Sequence, residues 1–168
     1  MPESPQSTKP VWEERLNEVL PLLGHRNWIV IADSAYPLQS NPGIETIFAG
    51  GDQIAAVERV LGAIGQCGHI RANVYADKEL AYVAESDAPG ALEYRRRLEA
   101  ALDGASVSFL PHEQIIHRLD QSAQLFRVLL IKTGMSIPYT SVFFELDCGY
   151  WNAESEHRLR KALSAASE

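Results

Sequence analysis

The chain has 168 residues, 46% hydrophobic and 22% charged, with a formal net charge of −7 at pH 7. That length suits one soluble domain with a substantial core, and the acidic balance disfavours a nucleic-acid backbone or an anionic membrane as partner. Two cysteines are too few for a disulfide framework, and no apolar run nears the roughly 20 residues of a membrane span, so a reducing cytoplasm is the expected compartment.

Residues 1–9 lack the basic start and apolar centre of a signal peptide and read as a short disordered leader. Val11 to Leu23 places Trp12, Leu16, Val19, Leu20 and Leu23 at helical spacing, with Pro10 before the first turn and Gly24 as a C-terminal cap. Trp28 to Ala32 is a continuous apolar run of the kind buried parallel strands show. A loop follows through Gly43, then a candidate strand at Ile44–Ala49 and a helix from the Asp52 cap to about Ile64. Ile70–Ala76 predicts a strand, Leu80–Ala84 a helical turn, and Asp87 with Pro89 the opening of a helix through Leu102. Ser106–Leu110 predicts a short strand and Pro111 a helix toward Ala123. Leu125–Ile131 is the second strongly apolar strand, and Val142–Leu146 is expected beside it. Asn152 caps a last helix with Glu154 and Glu156 early and Arg158, Arg160 and Lys161 late, which suits the helix dipole. Strands alternating with helices imply an α/β fold: a single domain with a mixed or largely parallel central sheet and helices on both faces. Residues 10–148 form the expected domain, and 149–168 a C-terminal extension with a helix.

In such sheets ligands collect outside the carboxyl ends of strands, so residues at those ends are the first candidates. Asp33 ends the first apolar strand; its partner is a sugar hydroxyl, a histidine or a backbone amide in the Ser34-Ala35 turn. His25, directly after Gly24, is either a general acid or base or a histidine that satisfies the last carbonyls of the helix. Thr133-Gly134 and Pro138-Tyr139-Thr140-Ser141 bracket the turn after the second strand; their hydroxyls suit a polyol, although an ordinary tight turn would look the same. His112 and His117 lie five apart, roughly 140° around a helix, so one zinc ion cannot bridge them. On position alone His112 is a surface histidine, Cys67-Gly68-His69 a core cysteine beside a lone histidine, and Glu154 with His157 a solvated pair. Arg95-Arg96-Arg97 reads as a solvated face or a subunit contact. No nucleotide-binding or nucleophile-elbow pattern occurs, which leaves acid–base chemistry without a cofactor or a metal.

Together these residues resemble the ribose pyranase and fucose mutarotase (RbsD/FucU-like) family. The resemblance rests on Gly24-His25-Arg26-Asn27, on Ile29 to Asp33 with Tyr36-Pro37, on His112-Glu113-Gln114, and on Val128 to Gly134 with Pro138-Tyr139-Thr140-Ser141. It implies a sugar isomerase that opens and recloses the hemiacetal of a reducing monosaccharide. His25 would be the catalytic acid or base; Asp33, His112, Tyr139 and Ser141 would contact the sugar. It also implies a ring-like homo-oligomer, a decamer in the family, with sites at subunit junctions. A non-catalytic monosaccharide-binding protein on the same scaffold is the alternative. Asn27 stands where the family has an acidic residue two after the histidine, Ser141 where it has asparagine, and the chain continues past the family's usual end.

Overall fold

A computed structural model describes residues 10–167; the expected leader at residues 1–9 lies outside the described residues. At its centre β1 (Trp28–Ala32) is buried at all five positions. Successive side chains of a strand point to opposite faces. Here Ile29 and Ile31 enter the apolar cluster on one face, while Trp28, Val30 and Ala32 enter the cluster on the other. Burial on both faces is why this segment reads as an unbroken apolar run, with each aliphatic side chain contributing about 1.5–3 kcal/mol of transfer free energy.

Five further strands complete the sheet: β2 (Ile44–Phe48), β3 (Ile70–Asp77), β4 (Val107–Leu110), β5 (Val128–Lys132) and β6 (Val142–Cys148). Their order is β2-β5-β1-β6-β3-β4. Five strands run the same way, and β6 runs antiparallel to both β1 and β3. The fold is thus a single-domain, mixed and mostly parallel α/β sheet, as expected. The expected neighbourhood of β6 and β5 is corrected: β1 lies between them. The nine residues from Thr133 to Ser141 are long enough for the chain to cross one strand before reversing.

Helices α1 (Val11–Val19), α2 (Gln53–Gly65) and α3 (Ala91–Ala101) supply the cluster on one face, and α4 (His112–Ala123) covers the other through Ile115, Leu119 and Ala123. The first helix tightens into a 3-10 turn over Leu20–Leu22, where Pro21 lacks the N–H an α-turn would use. Asp52 caps α2 by accepting from the Ala55 amide, as read from the sequence. The start of α3 is corrected from Asp87 and Pro89 to Ala91. There Glu85 does the capping, its carboxylate accepting from the amides of Gly90 and Leu92 at 2.7 and 2.9 Å. The second apolar strand begins at Val128 instead of Leu125, because Phe126 still bonds back to Ser122 at the end of α4.

Helix α5 (Ala153–Ala165) is capped by Asn152 on the Ser155 amide and buries none of its residues. Glu154 there pairs with Arg158 at 2.9 Å, not with His157, because the i,i+4 cation sits directly above it. No helix among the described residues is long and apolar enough to cross a membrane.

Candidate functional site

Sheet topology decides which side chains converge. The carboxyl ends of β1 and β3 lie on either side of the amino end of β6, where Val142 is in register with both Ile31 and Ala76. One residue further, Ser141 sits between two strand-ending carboxylates. Its hydroxyl donates to Asp33 Oδ1 at 2.9 Å, so the partner of Asp33 is Ser141. On the other side is Asp77, 1% exposed. Its Oδ2 lies 2.9 Å from Nδ1 of His112, and its Oδ1 has no partner among the described residues.

These groups line a cavity of about 360 Å³ with Ala35, Tyr36, Pro37, Gln39, Glu113, Ile116, Pro138 and Tyr139. A larger groove of about 490 Å³ lies at the β4 edge, walled by Leu98, Leu102, Val107 and Phe109. Arg95, Glu99 and Asp103 also border it, but Arg95 is committed to the Leu80 and Val83 carbonyls. Only the smaller cavity lies where the carboxyl ends of β1 and β3 converge, so it is the candidate site. Asp33, His112, Tyr139 and Ser141, expected to act together, do meet in it.

His112 opens α4, and its backbone N–H donates to both carboxylate oxygens of Glu79 at 3.0 Å. A negative charge at a helix N-terminus satisfies orphan amides and the dipole together, which fixes the first turn and the imidazole on it. The hydrogen bond to Asp77 raises the His112 pKa above its ordinary value, against a downward pull from burial; the charges of Asp77, Glu113 and Glu79 add to the rise. Burial pushes Asp77 itself up, while its bond to His112 pulls the other way. His112 is therefore no solvated surface histidine. The tyrosine on the far rim, Tyr139, meets the His112 ring edge-on at 5.8 Å between centroids. Its φ of +60° is a conformation bulky L-residues rarely adopt.

A buried polar layer holds the Tyr139 turn in place. Gln53, 1% exposed, donates to Tyr94 Oη and to the Thr140 carbonyl, and accepts from Thr133 Oγ1 at 2.7 Å. Tyr94 Oη donates to the same carbonyl at 2.6 Å.

His25 is elsewhere. It precedes β1 whereas Asp33 follows it, so the strand, roughly 16 Å long for its five residues, separates them within one chain. Its Nδ1 lies 2.8 Å from Asp147 Oδ1 at the far end of β6, and its side chain is 59% exposed. The last carbonyls of the first helix, Leu20 and Leu23, are met instead by Nε2 of His69. Asn27 does not face His25: its Oδ1 accepts from the Gly24 amide and its Nδ2 donates to the Arg127 carbonyl.

The remaining candidates are occupied locally. Arg95 donates to the carbonyls of Leu80 and Val83, Arg96 pairs with Glu93 and Arg97 with Asp52. Cys67 donates to the Ala63 carbonyl. Among the described residues no group of three or more His, Cys, Asp or Glu side chains could hold a metal ion.

Sequence reading missed Asp77 and Glu79. A signal for Asp77 existed: Ala76-Asp77 ends β3 as Ala32-Asp33 ends β1. Gln53 gave no local signal, because its partners lie 41 to 87 residues away.

An open, mostly parallel α/β sheet with a polar cavity at the carboxyl ends of its strands defines the class of fold, a common setting for a small-molecule site. Residues 7–149 match the model of the RbsD / FucU transport protein family. The chain belongs to that family. Among solved structures it is similar to Bacillus subtilis RbsD complexed with D-ribose, at 17% identity and a TM-score of 0.59, covering 84% of this chain and 98% of that one. It is similar to the fucose mutarotase from Streptococcus pneumoniae in complex with L-fucose at 18% identity and a TM-score of 0.50, covering 88% and 98%. FucU from Bifidobacterium longum gives 15% identity and a TM-score of 0.51, covering 80% and 94%. No curated protein matches the sequence. Helix α5 lies beyond the residues the family model matches.

Proposed function

We propose that this protein is a cofactor-free sugar mutarotase or pyranase that interconverts ring forms or anomers of a reducing monosaccharide. One observation carries the reading. A cavity of about 360 Å³ brings three carboxylates, an imidazole, two phenols and a hydroxyl to the carboxyl edge of the sheet. That is a donor and acceptor set matched to a polyol, beside apolar walls from Ala35, Pro37, Ile116 and Pro138. Support also comes from the family match and from similar structures solved with D-ribose and L-fucose.

Ring opening breaks the bond between the anomeric carbon and the ring oxygen. One proton must leave the anomeric hydroxyl as its oxygen becomes a carbonyl, and one must reach the ring oxygen as it becomes a hydroxyl. Asp33, Tyr139 and Ser141 hold the hydroxyls, and His112 contacts the sugar from the α4 side. His25 is the acid or base. It cannot reach the cavity of its own chain, so a neighbouring copy delivers it in a ring-like homo-oligomer whose sites lie at subunit junctions. The expected setting is cytoplasmic sugar metabolism.

A non-catalytic monosaccharide-binding protein is the second reading. It is favoured by Ser141, whose hydroxyl is engaged by Asp33 instead of being free for sugar. Saturation-transfer NMR on ribose, fucose and other reducing sugars separates the two. Exchange faster than in buffer, lost in His25→Ala while binding persists, is the expected result. Binding without acceleration by the wild-type protein would leave the binding reading.

A further inference from the structure

Asp77 is an uneconomical way to stabilise a fold. Its side chain is 1% exposed, and among the described residues one oxygen has a single partner in His112 and the other has none. Burying a carboxylate on those terms costs several kcal/mol, and a buried pair is weak evidence for stability. What the pair does change is the imidazole. With Nδ1–H donated to Asp77, Nε2 is left as the ring nitrogen without a partner among the described residues, on a side chain that lines the cavity.

Among the described residues, the charged groups that act most on this ring are all acidic. Asp77 comes from the end of β3 and Glu79 from the turn after it; Glu113 is the next residue on α4. Across the cavity, Asp33 acts on Asp77 in turn. The other close neighbours are the rings of Tyr139 and Phe143, at 5.8 and 6.4 Å, which carry no positive charge. That setting favours the cationic imidazole, the form required of a proton donor.

We propose that His112 is a second proton-transferring group, working opposite His25, with Asp77 as its positioning residue. The proposal rests on the mutarotase reading and assigns the half of the reaction that a single histidine leaves open. As His25 of a neighbouring copy takes the proton of the anomeric hydroxyl, the anomeric C–O bond gains its second bond. The electron pair of the breaking bond goes to the ring oxygen, which takes the proton from Nε2 of His112. The neutral His112 and protonated His25 then reverse the two transfers on reclosure, so protons and charge balance over the cycle. Asp77 keeps the tautomer fixed throughout, because Nδ1–H never leaves it.

The test uses the wild-type protein, His112→Gln and Asp77→Asn in the saturation-transfer assay across pH, with sugar binding followed by ligand-detected NMR. The expected result for His112→Gln is an exchange rate lower by roughly a hundredfold with binding retained, since glutamine keeps a hydrogen-bonding group but carries no transferable proton. For Asp77→Asn the alkaline limb of the rate profile moves to lower pH, and so does the His112 titration read from its own ring protons. The ring titration reports the pairing whether or not a sugar is turned over. An active wild type whose His112→Gln variant keeps its exchange rate overturns this proposal and leaves the mutarotase reading standing. A folded wild type that accelerates no sugar overturns both. An unmoved rate profile and ring titration in Asp77→Asn overturn the positioning role even if the variant is less stable.

Discussion

Nδ1 of His25 lies 2.8 Å from Oδ1 of Asp147, a carboxylate that reaches it from 122 residues away in the chain. Partial burial pulls Asp147 upward, but the Arg71 guanidinium, the Cys148 amide and His25 outweigh it and hold the carboxyl below its usual range. Asn27, by contrast, spends its carboxamide on the Gly24 amide and the Arg127 carbonyl. The acidic partner missing two residues after the histidine is thus supplied from β6. With Nδ1 tied to Asp147, Nε2 is the ring nitrogen without a partner among the described residues, on a side chain that is 59% exposed.

Asp147→Asn is therefore expected to lower the exchange rate by on the order of tenfold through misorientation of the ring. Asp147→Glu should recover part of the loss. Nitrogen-15 spectra of the His25 ring above neutral pH check the cause, since the substitution should shift the neutral ring away from the Nδ1–H tautomer. Equal rates and an unchanged tautomer in Asp147→Asn would show that the contact is only a surface pair.

Much of the fold could be read locally, and the misses share a physical reason. Burial on both faces wrote β1 and β5 into the sequence as apolar runs, and short polar caps such as Asp52 and Asn152 marked helix starts within three residues of the amides they bind. Strand order is not local. Nothing in Val142–Cys148 says that it pairs with β1 and β3, because a strand buried on both faces looks alike in any central position. The site divides the same way. Asp33, Tyr139 and Ser141 sit at or beside strand ends, where position raises suspicion, and His112 entered through the resemblance, whereas Gln53 becomes visible only when α2, α3 and the Thr133–Ser141 turn are packed together. The separation of His25 from Asp33 was legible: a straight strand between two residues puts them at opposite edges of the sheet.

The Asp77–His112 pair should make stability depend on pH in one direction. Both groups have folded-state pKa values above their ordinary ones. The folded chain then binds more protons than the unfolded chain, so the contribution is full below the unfolded values and is lost as pH rises through the folded ones. Urea unfolding of the wild type and of His112→Gln, compared from about pH 6.5 upward, isolates the histidine. The stability advantage of the wild type over the variant should shrink as pH increases. An advantage that grows over that range would mean the sign is wrong.

Gln53→Leu should cost about 1–2 kcal/mol, because the Thr133 hydroxyl loses its shorter acceptor and keeps only the Ala32 carbonyl, while Tyr94 Oη loses a donor and the Thr140 carbonyl one of its two. The loss falls on the turn that carries Tyr139 and Ser141. Urea denaturation gives the energy, and a sugar titration should show weaker binding in a chain that is still folded. Unchanged affinity at reduced stability would separate this layer from the site.

Tyr139 separates stability from binding in the opposite way. At a φ of +60° its backbone is strained, and asparagine tolerates that region far better than an aromatic residue. The ring is 42% exposed, so its removal gives up little burial within the chain. Tyr139→Asn should therefore leave folding stability within about 1 kcal/mol of the wild type, strain relief offsetting the lost contact with His112. Sugar affinity, by contrast, should fall about tenfold, the equivalent of roughly 1.4 kcal/mol. A strained side chain that serves only local packing would show the reverse, an altered melting temperature with binding intact. Thermal melts and the sugar titration on one sample of this variant distinguish the two.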